Sequence, residues 1–292
     1  MLIANSWMDY ELLDCSSGER LERWGNVVLV RPDPQVIWDT PKATALWGRA
    51  HARYSRSDKG GGSWQFIKKF KEPWEISWAC PQSQSLKFGL KCMGFKHTGV
   101  FPEQAVNWSR LQGIIRTANR TVKVLNMFAY TGAATLACAA AGAAVTHVDA
   151  AKGMVQWARE NAARSGLGEK PIRWLADDCA KFVQRELRRG GKYDIIIMDP
   201  PSYGRGPGGE IWKLETEIHP LIRACAGLLS DDAPAFLVNS YTTGLSPSVM
   251  GYILRAEIGA KRGGSVDCDE IGLPVTAAGT ALPCGASALW TK

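Results

Sequence analysis

The run Tyr193-Asp194-Ile195-Ile196-Ile197-Met198 leads straight into Asp199-Pro200-Pro201-Ser202-Tyr203. Four consecutive bulky apolar residues suit a strand buried on both faces, as in the middle of a parallel sheet. Two prolines end it abruptly, because proline has no backbone N–H with which to continue the ladder. Asp199 is therefore expected at the carboxyl end of a central strand. Ligands bind at that edge of an open α/β sheet, so this carboxylate, with Tyr203 a few residues on, marks a candidate site.

The rhythm around this strand supports such a sheet. From about residue 120, strands are expected at 122–128, 144–148, 172–175 and 235–238. Helices are expected at 133–141, 152–164, 179–189 and 212–228, with a further one opened by Ser246-Pro247. Asp178 suits the N-cap of the third of these helices. Segments 265–271 and 280–283 read as a closing strand pair. This alternation predicts an α/β fold with helices on both faces of a parallel sheet, in a domain covering 109–292. Residues 1–108 read differently: they hold eight of the twelve tryptophans and short alternating runs such as 26–30. A smaller β-rich N-terminal domain is expected there, with a hairpin tip at 57–63.

Within that N-terminal part, residues 49–71 contain seven Lys/Arg and one acid, Asp58, with Tyr54, Trp64, Phe66 and Phe70 interleaved. Cations neutralise phosphates and aromatic faces stack on bases, so Lys68, Lys69 and their neighbours are a candidate RNA-contacting surface. A solvated charged face over an aromatic core explains the same pattern equally well. The whole chain of 292 residues carries a net charge of +7, which favours an anionic partner such as nucleic acid. Its 46% hydrophobic content argues against disorder. The N-terminus lacks a basic start and a long apolar core, and no stretch reaches the ~18 apolar residues of a membrane span. A cytoplasmic protein with no membrane partner is expected. The eight cysteines are scattered, with no Cys-x-x-Cys pair and no histidine at zinc-ligand spacing, so no metal site is expected.

Acids close three successive strands: Asp149, the pair Asp177-Asp178, and Asp199. Asp149 suits the two hydroxyls of a ribose, and Asp177 or Asp178 suits an adenine amino group. The turn Phe128-Ala129-Tyr130-Thr131-Gly132 joins a strand to a helix N-terminus, where a glycine lets a ligand approach the backbone. It lacks the three glycines of a dinucleotide fingerprint, which disfavours a nicotinamide oxidoreductase.

In this order and spacing, Phe128 to Gly132, Asp149, Asp177-Asp178 and Asp199 to Tyr203 resemble class I S-adenosylmethionine-dependent methyltransferases. The nearest resemblance is to bacterial large-subunit ribosomal RNA methyltransferases of the 5-methylcytosine-1962 type, over about residues 96–256. It implies a Rossmann-like seven-stranded sheet with an antiparallel last pair, and S-adenosylmethionine as cofactor. It further implies that Ala129, Tyr130, Thr131 and Gly132 hold the methionine part, Asp149 and Ala150 the ribose, and Asp177 or Asp178 the adenine. Asp199 then lies near the methyl group, and Lys96-His97-Thr98-Gly99-Val100-Phe101-Pro102-Glu103-Gln104 resembles a family segment that helps cover the cofactor.

Methylation of cytosine C5 needs a thiolate, and the matching stretch, residues 238–243, has no cysteine. Cys284, in Leu282-Pro283-Cys284-Gly285, is the one cysteine whose setting reads as an exposed turn, and direct transfer without a covalent adduct is favoured. Asp199 and the Pro200 carbonyl are candidates to accept from an exocyclic amine, with Tyr203 stacking on a flipped-out base. The loop 204–210 reads as a mobile lid, with Arg205 and Lys213 as a phosphate clamp. The expected function is methyl transfer to RNA, ribosomal RNA favoured. The alternatives are a methyltransferase of another substrate and a non-catalytic RNA-binding protein that keeps the fold.

Overall fold

The computed structural model describes residues 1–292 except 58–60, 81–83, 206–210 and 243, with Arg205 described for its backbone only. By internal contacts the chain forms two units, Met1–Val106 with Ile271–Cys284, and Asn107–Glu270 with Gly285–Lys292.

The second unit contains the predicted alternation. Its strands are β1 (Lys123–Met127), β2 (Ala144–Asp149), β3 (Ile172–Ala176), β4 (Ile195–Met198) and β5 (Ala235–Ser240), followed by β6 (Ser265–Val275) and β7 (Thr280–Thr291). They are ordered β3-β2-β1-β4-β5-β7-β6. The first five are parallel, while β7 pairs antiparallel with β5 from Ala235↔Thr291 to Ser240↔Ala286. Residues 271–284 of the last two strands belong to the first unit.

The helices are α1 (Ala105–Thr117), α2 (Ala133–Ala140), α3 (Lys152–Arg164), α4 (Cys179–Arg188), α5 (Leu214–Ala226) and α6 (Pro247–Leu254). All four residues of β4 are buried, because successive side chains feed opposite cores. Ile196 and Met198 pack with Leu125, Val148 and Phe236 against Phe182 and Val183 of α4, Ile222 of α5 and Leu254 of α6. Ile195 and Ile197 pack with Val124, Val145 and Leu237 against Leu111 and Ile115 of α1 and Cys138 of α2. The uninterrupted apolar run is thus the signature of a sheet covered on both faces. Asp178 is the N-cap of α4, its side chain accepting from Lys181 N, and Ser246 caps α6 ahead of Pro247.

The predicted helix 212–228 begins later, at Leu214, because Ile211–Lys213 forms a short strand antiparallel to Tyr203–Arg205. The lid expected at 204–210 is therefore in part a hairpin, and residues 206–210 lie outside the described residues.

The first unit is β-rich. Strands Tyr10–Ser16, Glu19–Trp24 and Val27–Pro32 form an antiparallel meander. Ala52–Arg56 then pairs parallel to Val27–Pro32 and antiparallel to Gly62–Phe66. The tip expected at 57–63 joins the latter pair, with 58–60 outside the described residues. A separate hairpin pairs Trp74–Trp78 with Leu86–Leu90. The meander buries charge as well as Leu21 and Trp24: Arg20, Glu22 and Arg31 are all buried. Burial alone would raise the Glu22 carboxyl, but Arg20 and Arg31 outweigh it and bring it to about 2.

Candidate functional site

The strand register sets the acids along one rim. Met198 pairs with Met127, Val148 pairs with Met127, and Asp149 pairs with Ala176. Asp199, Phe128, Asp149 and Asp177 therefore stand at or one residue beyond the carboxyl ends of β4, β1, β2 and β3, where ligands of such sheets bind.

The turn between β1 and α2 is strained. Phe128 and Tyr130 have φ of 54° and 51°, and Gly132 has 88°. Left-handed backbone costs a residue with a side chain roughly 1–2 kcal/mol, so neighbouring bonds must hold it. Tyr130 N donates to Asp149 Oδ2 at 2.8 Å, and Ala151 N donates to Asp149 Oδ1 at 2.9 Å. Phe128 N donates to the buried Cys179 sulfur at 3.3 Å. A Cβ on Gly132 would stand 2.8 Å from the Ala158 Cβ of α3, so the turn presses against that helix.

Asp149 thus does two jobs. Each carboxylate oxygen takes one backbone amide, and each carboxylate oxygen accepts more than one hydrogen bond, which leaves capacity for two hydroxyls. Burial raises its pKa while the Ala151 and Tyr130 amides lower it, and the net direction is upward. Ala150, beside it, is exposed.

Below the turn lies a buried polar chain that sequence reasoning missed. Asn126 Nδ2 donates to Thr135 Oγ1 at 2.9 Å, and Thr135 Oγ1 lies 2.9 Å from His147 Nδ1. His147 is fully buried against Trp174, and burial pushes it down to about 3, so it is neutral. Asn161 Nδ2, on α3, donates to Thr131 O at 3.1 Å. The signal available in sequence was the polar residue inside each apolar run, Asn126 in β1 and His147 in β2.

Of the two acids after β3, Asp177 pairs with Arg185 of α4. Asp178 is exposed and takes Lys181 N on Oδ1 at 2.8 Å. At the end of β4, Asp199 is half-buried, Pro200 buried and Tyr203 half exposed. Trp212 closes this corner, its Nε1 donating to Pro201 O at 2.6 Å and its ring lying 5.6 Å from Phe128. Leu214 N donates to Ser202 O, and Thr242 Oγ1 donates to Ser202 Oγ at 2.6 Å. Trp212 therefore ties the Asp199 corner to the β1 turn. In the expected clamp, Lys213 pairs in register with Tyr203 and Arg205 with Ile211, which places the two at opposite ends of the hairpin.

Two further expectations change. Cys284 is buried within β7 instead of exposed in a turn, its Sγ donating to Leu282 O at 3.4 Å, and burial pushes its thiol up. Residues 282, 284 and 286 are buried alternately with half-buried 281, 283 and 285, which is the period of a strand running through Pro283. None of the eight cysteines is exposed. The buried Asn239, in β5, accepts from Asn107 Nδ2 at 3.0 Å. Lys68 and Lys69 are exposed and belong to the first unit. Among the described residues, no group of three His, Cys, Asp or Glu is placed to hold a metal, and no helix is long and apolar enough to cross a membrane.

This sheet order and rim define a class I methyltransferase fold, and residues 50–230 match the model of the S-adenosylmethionine-dependent methyltransferase family, to which the chain belongs. A crystal structure of a SAM-dependent methyltransferase from Agrobacterium tumefaciens is 37% identical, covers 99% of this chain and 92% of that one, and superposes with a TM-score of 0.91. A Streptococcus mutans protein of 18% identity shares the fold with a TM-score of 0.74, over 99% and 76% of the two chains. The ribosomal RNA large subunit methyltransferase K/L of Shewanella frigidimarina is 28% identical over 156 residues, 53% of this chain and 21% of that protein. Its counterpart in Methylococcus capsulatus is 30% identical over 147 residues, 49% and 19%. The matched part is about a fifth of the length of these curated relatives. They do not carry the finer resemblance to the 5-methylcytosine-1962 type.

Proposed function

We propose that the enzyme transfers a methyl group from S-adenosylmethionine bound at this rim directly to a nucleophilic atom of RNA, with ribosomal RNA as the favoured substrate. The observation that carries the reading is Asp149: the carboxylate that closes β2 also fixes, through Tyr130 N, the left-handed turn that faces the same crevice. One group thereby orients the ribose end and the methionine end of a single ligand. Residues 129–132 line the methionine part, and Ala150 lies beside the ribose. Of the two acids after β3, Asp178 suits the adenine amino group better, because Asp177 is engaged by Arg185.

When bound, S-adenosylmethionine supplies an activated methyl group on a sulfonium. The chain's own work is then alignment and exclusion of water. Asp199 and the Pro200 carbonyl accept hydrogen bonds from the group being methylated, and Tyr203, half exposed beside them, stacks on its ring. A covalent thiolate route lacks its residue: Asn239 stands after Val238 and Cys284 is buried. RNA as the substrate rests on the names of the curated relatives and on the net charge of +7. A cytoplasmic location accords with that substrate.

Mass spectrometry of ribosomal and transfer RNA nucleosides from a deletion strain and its parent tests the reading. One methylated nucleoside should vanish on deletion and return with the wild-type gene. Asp199→Ala should restore it at a rate lower by ~100-fold or more. Identical nucleoside profiles in the two strains would remove RNA as the substrate.

A further inference from the structure

The first unit carries an aromatic ridge that the rim chemistry does not use. Phe66 ends the strand Gly62–Phe66 with 55% of its surface exposed, and Ile67 beside it is 50% exposed. The Phe66 ring lies 5.8 Å from Phe70, tilted by 38°. Phe70 is in turn held edge-on by Trp74 at 5.4 Å and by His51 at 6.0 Å. Phe66 is thus a ring seated on a fixed aromatic base with much of its surface open to solvent.

Cations flank it in sequence. Arg49, Arg56, Lys68, Lys69 and Lys71 are all exposed, and Lys68 Nζ donates to Arg49 O at 2.5 Å. Arg53 is different, since it pairs with Glu19. Residues 61–71 contain no acid, and the nearest following one, Glu72, accepts Cys92 N. His51 is held below its ordinary pKa, first by burial and then by the nearby Lys68 charge.

We infer that this ridge binds single-stranded RNA, with Phe66 stacking on an unpaired base while Lys68, Lys69, Lys71 and Arg49 meet the flanking phosphates. The inference rests on RNA being the substrate and adds where and how the strand is held. A duplex hides the faces of its bases, so a lone exposed ring selects an unstacked strand. An acidic protein segment would satisfy the cations but leave Phe66 without a role.

The test is fluorescence anisotropy with the full chain and a labelled decauridine, repeated with an RNA duplex of 20 base pairs and with polyglutamate as competitor. Phe66→Ala should weaken decauridine binding ~10-fold, the scale of losing one base–aromatic stack, and leave the salt dependence unchanged. Phe66→Trp should retain binding. Lys68→Gln with Lys69→Gln should flatten the slope of log K against log salt by ~1.4, at ~0.7 per single-strand phosphate contact. Calorimetric titration with S-adenosylmethionine should be the same for every variant. If the wild type binds RNA and these variants bind it equally, the ridge is excluded while RNA stays the substrate. No RNA binding by a wild type that binds the cofactor would remove both. Tighter binding of the duplex, or displacement by polyglutamate as effective as by RNA, would overturn stacking on a single strand.

Discussion

Gly132→Ala probes the turn through two separable costs. The first is conformational: φ is +88°, and an alanine held in left-handed backbone costs about 1–2 kcal/mol. The second is steric, since the new methyl would sit 2.8 Å from Ala158 Cβ, 3.2 Å from Leu136 Cδ1 and 3.4 Å from Ala158 Cα. An alanine methyl on a helix has no rotamer by which to withdraw, and overpacking of this kind costs about 1–3 kcal/mol. The sum is a loss of about 2–5 kcal/mol in urea unfolding, with weaker cofactor binding because the displaced turn includes Tyr130, whose amide is fixed by Asp149. Adding Ala158→Gly removes the methyl-to-methyl contact and leaves the backbone cost and the milder contacts with Leu136 Cδ1 and the residue 158 Cα. The double variant should therefore recover stability relative to Gly132→Ala, even though glycine inside α3 itself costs about 1 kcal/mol. Gly132→Ala within 0.5 kcal/mol of wild type (about the scatter of neutral surface changes), with unaltered cofactor affinity, would refute the argument.

His147 predicts a pH dependence. Its folded pKa is depressed to about 3, so below its unfolded value of 6.5 the unfolded chain binds a proton that the folded chain does not. Its contribution is fully present above 6.5 and is lost as pH falls from there toward 3. Between pH 7.5 and 5 the wild type should lose about 2 kcal/mol more than His147→Gln in parallel urea titrations; equal losses would show that His147 takes up its proton in the fold. Trp212→Phe keeps a ring against Phe128 and deletes the bond to Pro201 O. Steady-state kinetics should show kcat down about 10-fold with cofactor affinity nearly unchanged, a small misalignment of the Asp199 corner being enough for that. An unchanged kcat would show that the hairpin does not position this corner.

The sheet and its acids are legible in sequence because each rests on a local pattern. The Ile195 to Met198 run admits burial on both faces, and Asp149, Asp177 and Asp199 each fall at the carboxyl end of a strand. What escapes a sequence reading is what depends on distant partners. Trp212 reads as a helix start, because its bond to Pro201 and its contact with Phe128 come from parts of the chain that meet only in the fold. Cys284 reads as a turn residue because proline and glycine flank it, yet β7 runs straight through it from Thr280 to Thr291. Arg20 and Glu22 lie on one strand and Arg31 on the next, and only the meander brings them together where they compensate one another's burial. The same limit applies to His147, whose neutral state follows from Thr135 and Trp174.

The central claim is that Asp149 joins turn and ribose in one cofactor site, and calorimetric titration of S-adenosylmethionine into wild type and Asp149→Asn tests it most directly. Asparagine keeps the size, but its NH2 group cannot accept, so it leaves either Tyr130 N or Ala151 N without an acceptor and removes the charge. Losing charged hydrogen bonds of this kind costs about 1.5–3 kcal/mol, so the account predicts binding by the wild type and a Kd raised roughly 10- to 150-fold in the variant. A wild type that does not bind the cofactor, or a variant that binds it equally well, would contradict the account.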